Sequence, residues 1–180
     1  MRPDTKRLIL NLLGNQGVWF VAVIAAGRGQ AWPGVLAAFG FVALHLRSAP
    51  RPADEVRLVV LAMLCGVAID GVAAWQGWVA YRAATFGSAM APPWILALWA
   101  SLAVTANTGM RSLQPHPWAA AMLGGIGGPL AYFAAARGWD AAQFPAPAWR
   151  GGAWLAVAWA MALPLLLGVA RRQGERAVPH

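Results

Sequence analysis

The chain has 180 residues, 59% of them hydrophobic and 11% charged, against about 45–50% and about 25% in an average soluble domain. Its 14 Lys+Arg and 6 Asp+Glu are too few to clothe a soluble core of this size, and a chain this apolar is not disordered. The net charge of +8 is scattered in ones, twos and threes between apolar stretches, which argues against a nucleic-acid-binding surface and for membrane topology.

Stretches of about 20 apolar residues mark spanning helices, and six are predicted. The first covers about 7–27. It is too long for the core of a signal peptide and no small-residue cleavage site stands out, so we read it as a retained helix. Asn11 and Asn15 share one face, Trp19 continues it, and Gln16 lies beside it. Such amides either bond neighbouring helices or line a polar cavity. The second helix, about 31–47, is the shortest and begins near Pro33, which suits a first turn.

The third helix covers about 56–77, with Asp54 and Glu55 just before it, where the helix dipole favours acids. Asp70 alone interrupts the uncharged run from Leu58 to Tyr81. At about 1.5 Å per residue it lies roughly 21 Å from the helix start, past the midplane. An intramembrane carboxylate is a functional-site hypothesis by default; the alternative is structural glue. We expect Asp70 to point inward, without an arginine partner, and to be neutral or hydrogen-bonded, with Tyr132 and Asn15 as partners. Cys65, the only cysteine, reads as a small buried hydrophobe.

The fourth helix, about 92–110, opens at Pro92 and Pro93 and carries a stripe of Ser101, Thr105 and Thr108, with Asn107 beside it. The fifth, about 117–136, holds Gly124, Gly125, Gly127, Gly128 and Pro129, then Tyr132. This segment permits close backbone approach or a broken helix, and it lacks the Lys-Ser/Thr of a phosphate loop. We expect Gly124, Gly127 and Gly128 to lie against a neighbouring helix. The sixth, about 151–171, contains Pro164, which should kink it.

Three histidines, His45, His116 and His180, form no HExxH pattern, and no metal or cofactor is expected. No serine sits in a nucleophile elbow. Most of the eleven tryptophans fit an interfacial belt; Trp94 and Trp99, beside the proline pair, are candidates for more.

Several signatures occur in order: Asn15-Gln16 with Trp19-Phe20; Gly66 four residues before Asp70; Pro92-Pro93-Trp94 with Leu98-Trp99, leading to Thr105; and Gly124, Gly127-Gly128-Pro129 with Tyr132. In that order they resemble a family of small bacterial inner-membrane proteins classed as a domain of unknown function. The resemblance covers nearly the whole chain and brings no activity with it. It implies a place in the bacterial inner membrane, and a gene neighbourhood of fatty-acid-modifying enzymes. Membrane lipids and lipid-modifying membrane enzymes are the partners this implies.

The expectation is an all-α, polytopic bundle forming a single integral membrane domain over 1–180, with no nucleic-acid partner. Its first functional reading is binding of a lipid or apolar metabolite in an outer-half cavity around Asp70, Tyr132, Trp94, Asn15, Gln16 and Trp19. A small transporter or permease component using Asp70 and a non-catalytic assembly subunit are the alternatives. The residues name no catalytic group.

With six spans, Arg2, Lys6, Arg7, Arg47, Arg51, Arg57, Arg111, Arg171, Arg172 and Arg176 share one side, and Arg28, Arg82, Arg137 and Arg150 the other. This asymmetry places both termini in the cytoplasm. Reporter fusions at either terminus or near Arg51 should therefore read cytoplasmic, and fusions near Ser88 and Phe144 periplasmic. A periplasmic C-terminus would show the span count to be wrong.

Overall fold

A computed structural model describes residues 3–176; Arg2 and His180 lie outside them. The element order is α1 (Pro3–Gly27), α2 (Trp32–Ser48), α3 (Pro52–Trp75), β1 (Ala80–Tyr81), α4 (Pro93–Ala103), a 3-10 turn (Arg111–Leu113), α5 (Pro117–Trp139), β2 (Ala142–Gln143) and α6 (Trp149–Glu175). Prolines sit in the first turn of α2, α3, α4 and α5, where the missing N–H costs nothing. Among the described residues, four helices are long and apolar enough to cross a membrane: Thr5–Gly27 of α1, and α3, α5 and α6. Large apolar side chains such as Leu36, Phe39, Leu64, Ile126 and Met161 cover the outside, as on a surface facing lipid. The chain is thus all-helical apart from one two-residue strand pair, and consistent with an integral membrane protein.

The short α4 occupies the centre, packed against α1, α2 and α3, while α5 and α6 form a close pair joined to the rest mainly through α3. One end of the bundle carries Arg7, Arg51, Arg111, Arg171 and Arg172 and is called the basic end below. At the other, the hairpin end, β1 and β2 pair antiparallel, with Ala80 opposite Gln143 and Tyr81 opposite Ala142.

The fourth helix departs from the sequence expectation. It stops at Ala103, not near 110, and Thr105, Asn107, Thr108 and Gly109 continue in turns. These residues are poor helix formers, and side chains satisfy the backbone groups they free. Asn11 Nδ2 donates to the Val104 carbonyl at 3.2 Å, and Asn11 Oδ1 accepts from the Gly109 N–H at 3.2 Å. Gln114 donates to the Ala106 carbonyl at 3.0 Å. Non-helical backbone inside a membrane domain is tolerated where protein surrounds it, and Val104, Thr105 and Ala106 are buried. Thr108 therefore leaves the expected helical stripe.

The glycine-rich segment does not break α5, which runs through Pro129 as α6 runs through Pro164. Its glycines divide by role. A Cβ on Gly124 would collide with the Trp159 carbonyl oxygen, and one on Gly128 would come within 2.5 Å of Trp159 Cγ. These two bring α6 close, as expected. Gly127 does not touch a neighbouring helix: an added Cβ would meet only Leu123 of its own helix at 3.7 Å. The difference follows from helix geometry, since residues four apart share a face and Gly127 is rotated off it.

Gly124→Ala should lower stability by about 1–3 kcal/mol, because it overpacks against backbone that cannot move aside. Gly127→Ala should be close to neutral. Equal thermal melting of the two variants in detergent would refute this division.

Candidate functional site

Asp70 lies on α3 five residues before its hairpin-end terminus and is completely buried. Three neutral side chains donate to it. The Tyr81 hydroxyl reaches Oδ1 at 2.7 Å and the Tyr132 hydroxyl reaches the same oxygen at 2.6 Å. Trp99 Nε1 reaches Oδ2 at 2.7 Å. No Lys or Arg pairs with it among the described residues. This suits an acceptor-only carboxylate taken out of water.

Each donor comes from a different element. Tyr132 stands one turn beyond Gly128 on α5. Tyr81 hangs from the two-residue strand that caps the bundle. Trp99 reaches Asp70 because Gly66, one turn earlier on α3, leaves room for its ring: a Cβ there would lie 2.8 Å from Trp99 Cγ. The other face of Trp99 stacks on Trp159, with centroids 4.2 Å apart and planes at 17°. Gly128 makes room for Trp159 in turn. Two stacked indoles are thus held between two glycines, and the spacings Gly66 to Asp70 and Gly128 to Tyr132 each set a close approach one turn from a polar contact.

The cap above is tied by Arg82, which pairs with Asp140 at 2.5 Å, and by Trp94 Nε1, which donates to the Arg82 carbonyl at 2.9 Å. The Arg82 guanidinium, with help from Gln143, holds the exposed Asp140 carboxyl below the usual carboxylate range. A lowered value means that this pair favours folding above that range and loses its effect as pH falls through the lowered value.

Beside the Asp70 cluster lies a cavity of about 560 Å³ between α1, α4, α5 and α6, within the size of small-molecule sites, about 300–1,000 Å³. Five of the six sequence candidates line it: Asn15, Gln16, Trp19, Trp94 and Tyr132. Asp70 does not. It sits one layer behind, screened by Trp99 and Tyr132, which do line it. The expected Asn15–Asp70 contact is not formed; Asn15 Oδ1 instead accepts from Ser101 Oγ at 3.0 Å, because Asn15 lies closer to the bundle middle than Asp70. Tyr81 and Trp159 were not singled out from the sequence.

Contacts between α1 and α5 involve Trp139 at the hairpin-end terminus of α5. There Gly27 packs on the Trp139 carbonyl, and Trp19 and Phe20 each meet Trp139 edge-on at 5.6 Å. Residues of both helices also line the cavity. The side opening runs past Gln16, Leu123, Leu130 and Ala134, all exposed on the bundle's flank. The walls are mostly Leu, Ala, Gly and Trp. Among the described residues, no group of His, Cys, Asp or Glu could hold a metal ion.

The chain belongs to the family described as a protein of unknown function, DUF2878, whose model matches residues 8–165. No curated protein and no solved structure matches it.

Losing the carboxylate orphans buried donors, each at about 1–3 kcal/mol. Tyr132→Phe should therefore cost about that much. Asp70→Asn should also destabilise, since its amide offers one oxygen where three donors converge. Asp70→Leu should destabilise most. Thermal unfolding in detergent tests the order, and a wild-type melting point for Asp70→Leu would refute the account.

Proposed function

We propose that this protein binds an amphiphile with a long apolar chain, a membrane lipid or lipid-like metabolite, through the side-opening cavity between α1 and α5. The observation that carries the reading is the cavity's lining: mostly apolar walls, a few fixed polar groups, and exposed apolar residues where it opens on the flank of the bundle. A chain entering from the membrane needs no passage through water. Asn15, Gln16 and Ser101 supply the polar contacts near mid-depth, and Trp19, Phe20 and Trp139 close the hairpin end. Asp70 then has a positioning role, fixing Trp99 and Tyr132 as wall.

In this reading all six helices are embedded in a bacterial inner membrane with both termini cytoplasmic. The shorter α2 and α4 are accommodated because α4 is surrounded by protein and continues towards the basic end in satisfied turns. A transporter using Asp70 would need water at the carboxylate, which is sealed behind aromatic rings.

The test is photo-labelling in bilayers with a phospholipid carrying a diazirine on its acyl chain. Labelling should concentrate on the cavity faces of α1 and α5, around Gln16 and Gly127. Gly127→Phe places a ring in the cavity without touching the α6 contact, so it should keep the fold and abolish that labelling. Labelling spread evenly over the outer surface, or unchanged by Gly127→Phe, would overturn the proposal.

A further inference from the structure

A second cavity, of about 630 Å³, opens at the basic end between α1, α2, α3, α6 and the connection from α4 to α5. Arg7, Arg51 and Arg111 line it together with His45, Asp54, Glu55 and Gln173; Arg51 also donates to the Gln173 carbonyl at 2.8 Å and lies 3.7 Å from Asp54. In the sequence these arginines bear only on topology. Arg47, Arg57, Arg171 and Arg172 suit that role alone, since none of them lines this cavity. Arg111 has no carboxylate partner among the described residues.

The inner wall carries a second, independent signal. Four buried side-chain polar atoms among the described residues have no hydrogen-bond partner, and three belong to this cavity: His45 Nε2, Glu55 Oε2 and Gln173 Oε1. Such atoms call for a partner. Glu55 is only 7% exposed. Its Oε1 accepts from Asn107 Nδ2 at 3.1 Å, while Oε2 faces His45 Nε2 at 3.5 Å. Gln173 Oε1 thus lacks a donor and Glu55 Oε2 has only the long contact with His45, while three guanidinium groups line the same cavity.

The geometry points to a ligand that is anionic outside and a cationic donor inside: we propose that this cavity binds an aminoalkyl phosphate, with its ammonium on Glu55 and Gln173 and its phosphate on Arg7, Arg51 and Arg111. Guanidinium forks suit phosphate oxygens. A primary ammonium brings three N–H donors to acceptors that a quaternary ammonium could not satisfy. The group could be the head of an ethanolamine phospholipid or a free phosphoamine, with the same recognition chemistry. This site is independent of the apolar cavity.

The full-length protein in neutral detergent is titrated with short-chain phosphatidylethanolamine, with phosphoethanolamine, and with the choline counterpart of each, followed by thermal unfolding. At least one ethanolamine compound should raise the melting temperature, at a concentration about tenfold or more below its choline counterpart, the gap expected of a charge-assisted hydrogen bond. A response to the lipid alone identifies a lipid headgroup; a response to both identifies the phosphoamine itself. Arg111→Gln, an exposed change, should weaken binding about tenfold by the same arithmetic. Glu55→Gln should remove the preference for ethanolamine over choline. No stabilisation by either ethanolamine compound, equal response to choline, or an unchanged Arg111→Gln variant would overturn the proposal and leave the α1–α5 cavity untouched.

Discussion

A carboxylate buried without a cation is the constraint on which the hairpin end of this bundle depends. A carboxyl group taken out of water must find hydrogen-bond partners, because leaving it bare costs more than most single contacts return. Asp70 finds three, and each comes from a segment that would otherwise be free to sit elsewhere: the β1 cap, the central α4 and the fifth helix. Satisfying one side chain therefore fixes the relative positions of four elements. Between apolar helices in lipid, packing alone supplies little direction, so a polar hub supplies it here. Gly66 and Gly128 follow from the same need, since the indoles that reach or brace the hub can lie flat only where no Cβ intervenes.

The hub also explains why there is a cavity beside it. Its contacts and the Gly124–Gly128 face draw α5 towards α3 and α6, away from α1. The remaining contact of α1 with α5 is the aromatic group around Trp139 at one end. A helix drawn to one side and pinned at one end opposite leaves room between itself and its neighbour, and residues of both helices line that room. Asp70 itself is completely buried and takes three donors, an arrangement that fixes the side chains forming the cavity wall.

Much of this was legible in the residues. An isolated acid in an apolar run had to point inward, and Tyr132, one turn beyond a glycine pair on another helix, was a natural donor. The face formed by Asn15, Gln16 and Trp19 does border an open volume. Tyr81 was not legible, because it follows α3 in a loop and reaches Asp70 only through a two-residue strand pairing that has no periodicity to read. Trp99 stood out beside the proline pair, yet its contact with Asp70 depends on the absence of a Cβ at Gly66, an effect that appears only when two helices are in register. The early end of α4 escaped for a similar reason. Apolar content from Pro92 to Met110 is high enough for a span, but the bonds from Asn11 and Gln114 that satisfy the unwound backbone join residues far apart in sequence.

The two ends of the bundle treat their buried acids differently. At the hairpin end both Asp70 oxygens and their three donors are paired, and only the bracing indole of Trp159 keeps a buried Nε1 without a partner. At the basic end, His45, Glu55 and Gln173 each keep a buried atom without one, and they do so in a cavity with guanidinium groups at its rim. Incomplete satisfaction costs stability, and nothing about helix packing requires it there: α3 begins at Pro52, and Glu55 occupies a first-turn position where a lysine-free, solvated acid would serve the helix dipole equally well. Burying that acid beside a histidine, under a mouth lined by arginines, makes sense as preorganisation for something polar that arrives from outside. The hub sets the shape of the protein, and the unsatisfied end is where that shape is left open to a ligand.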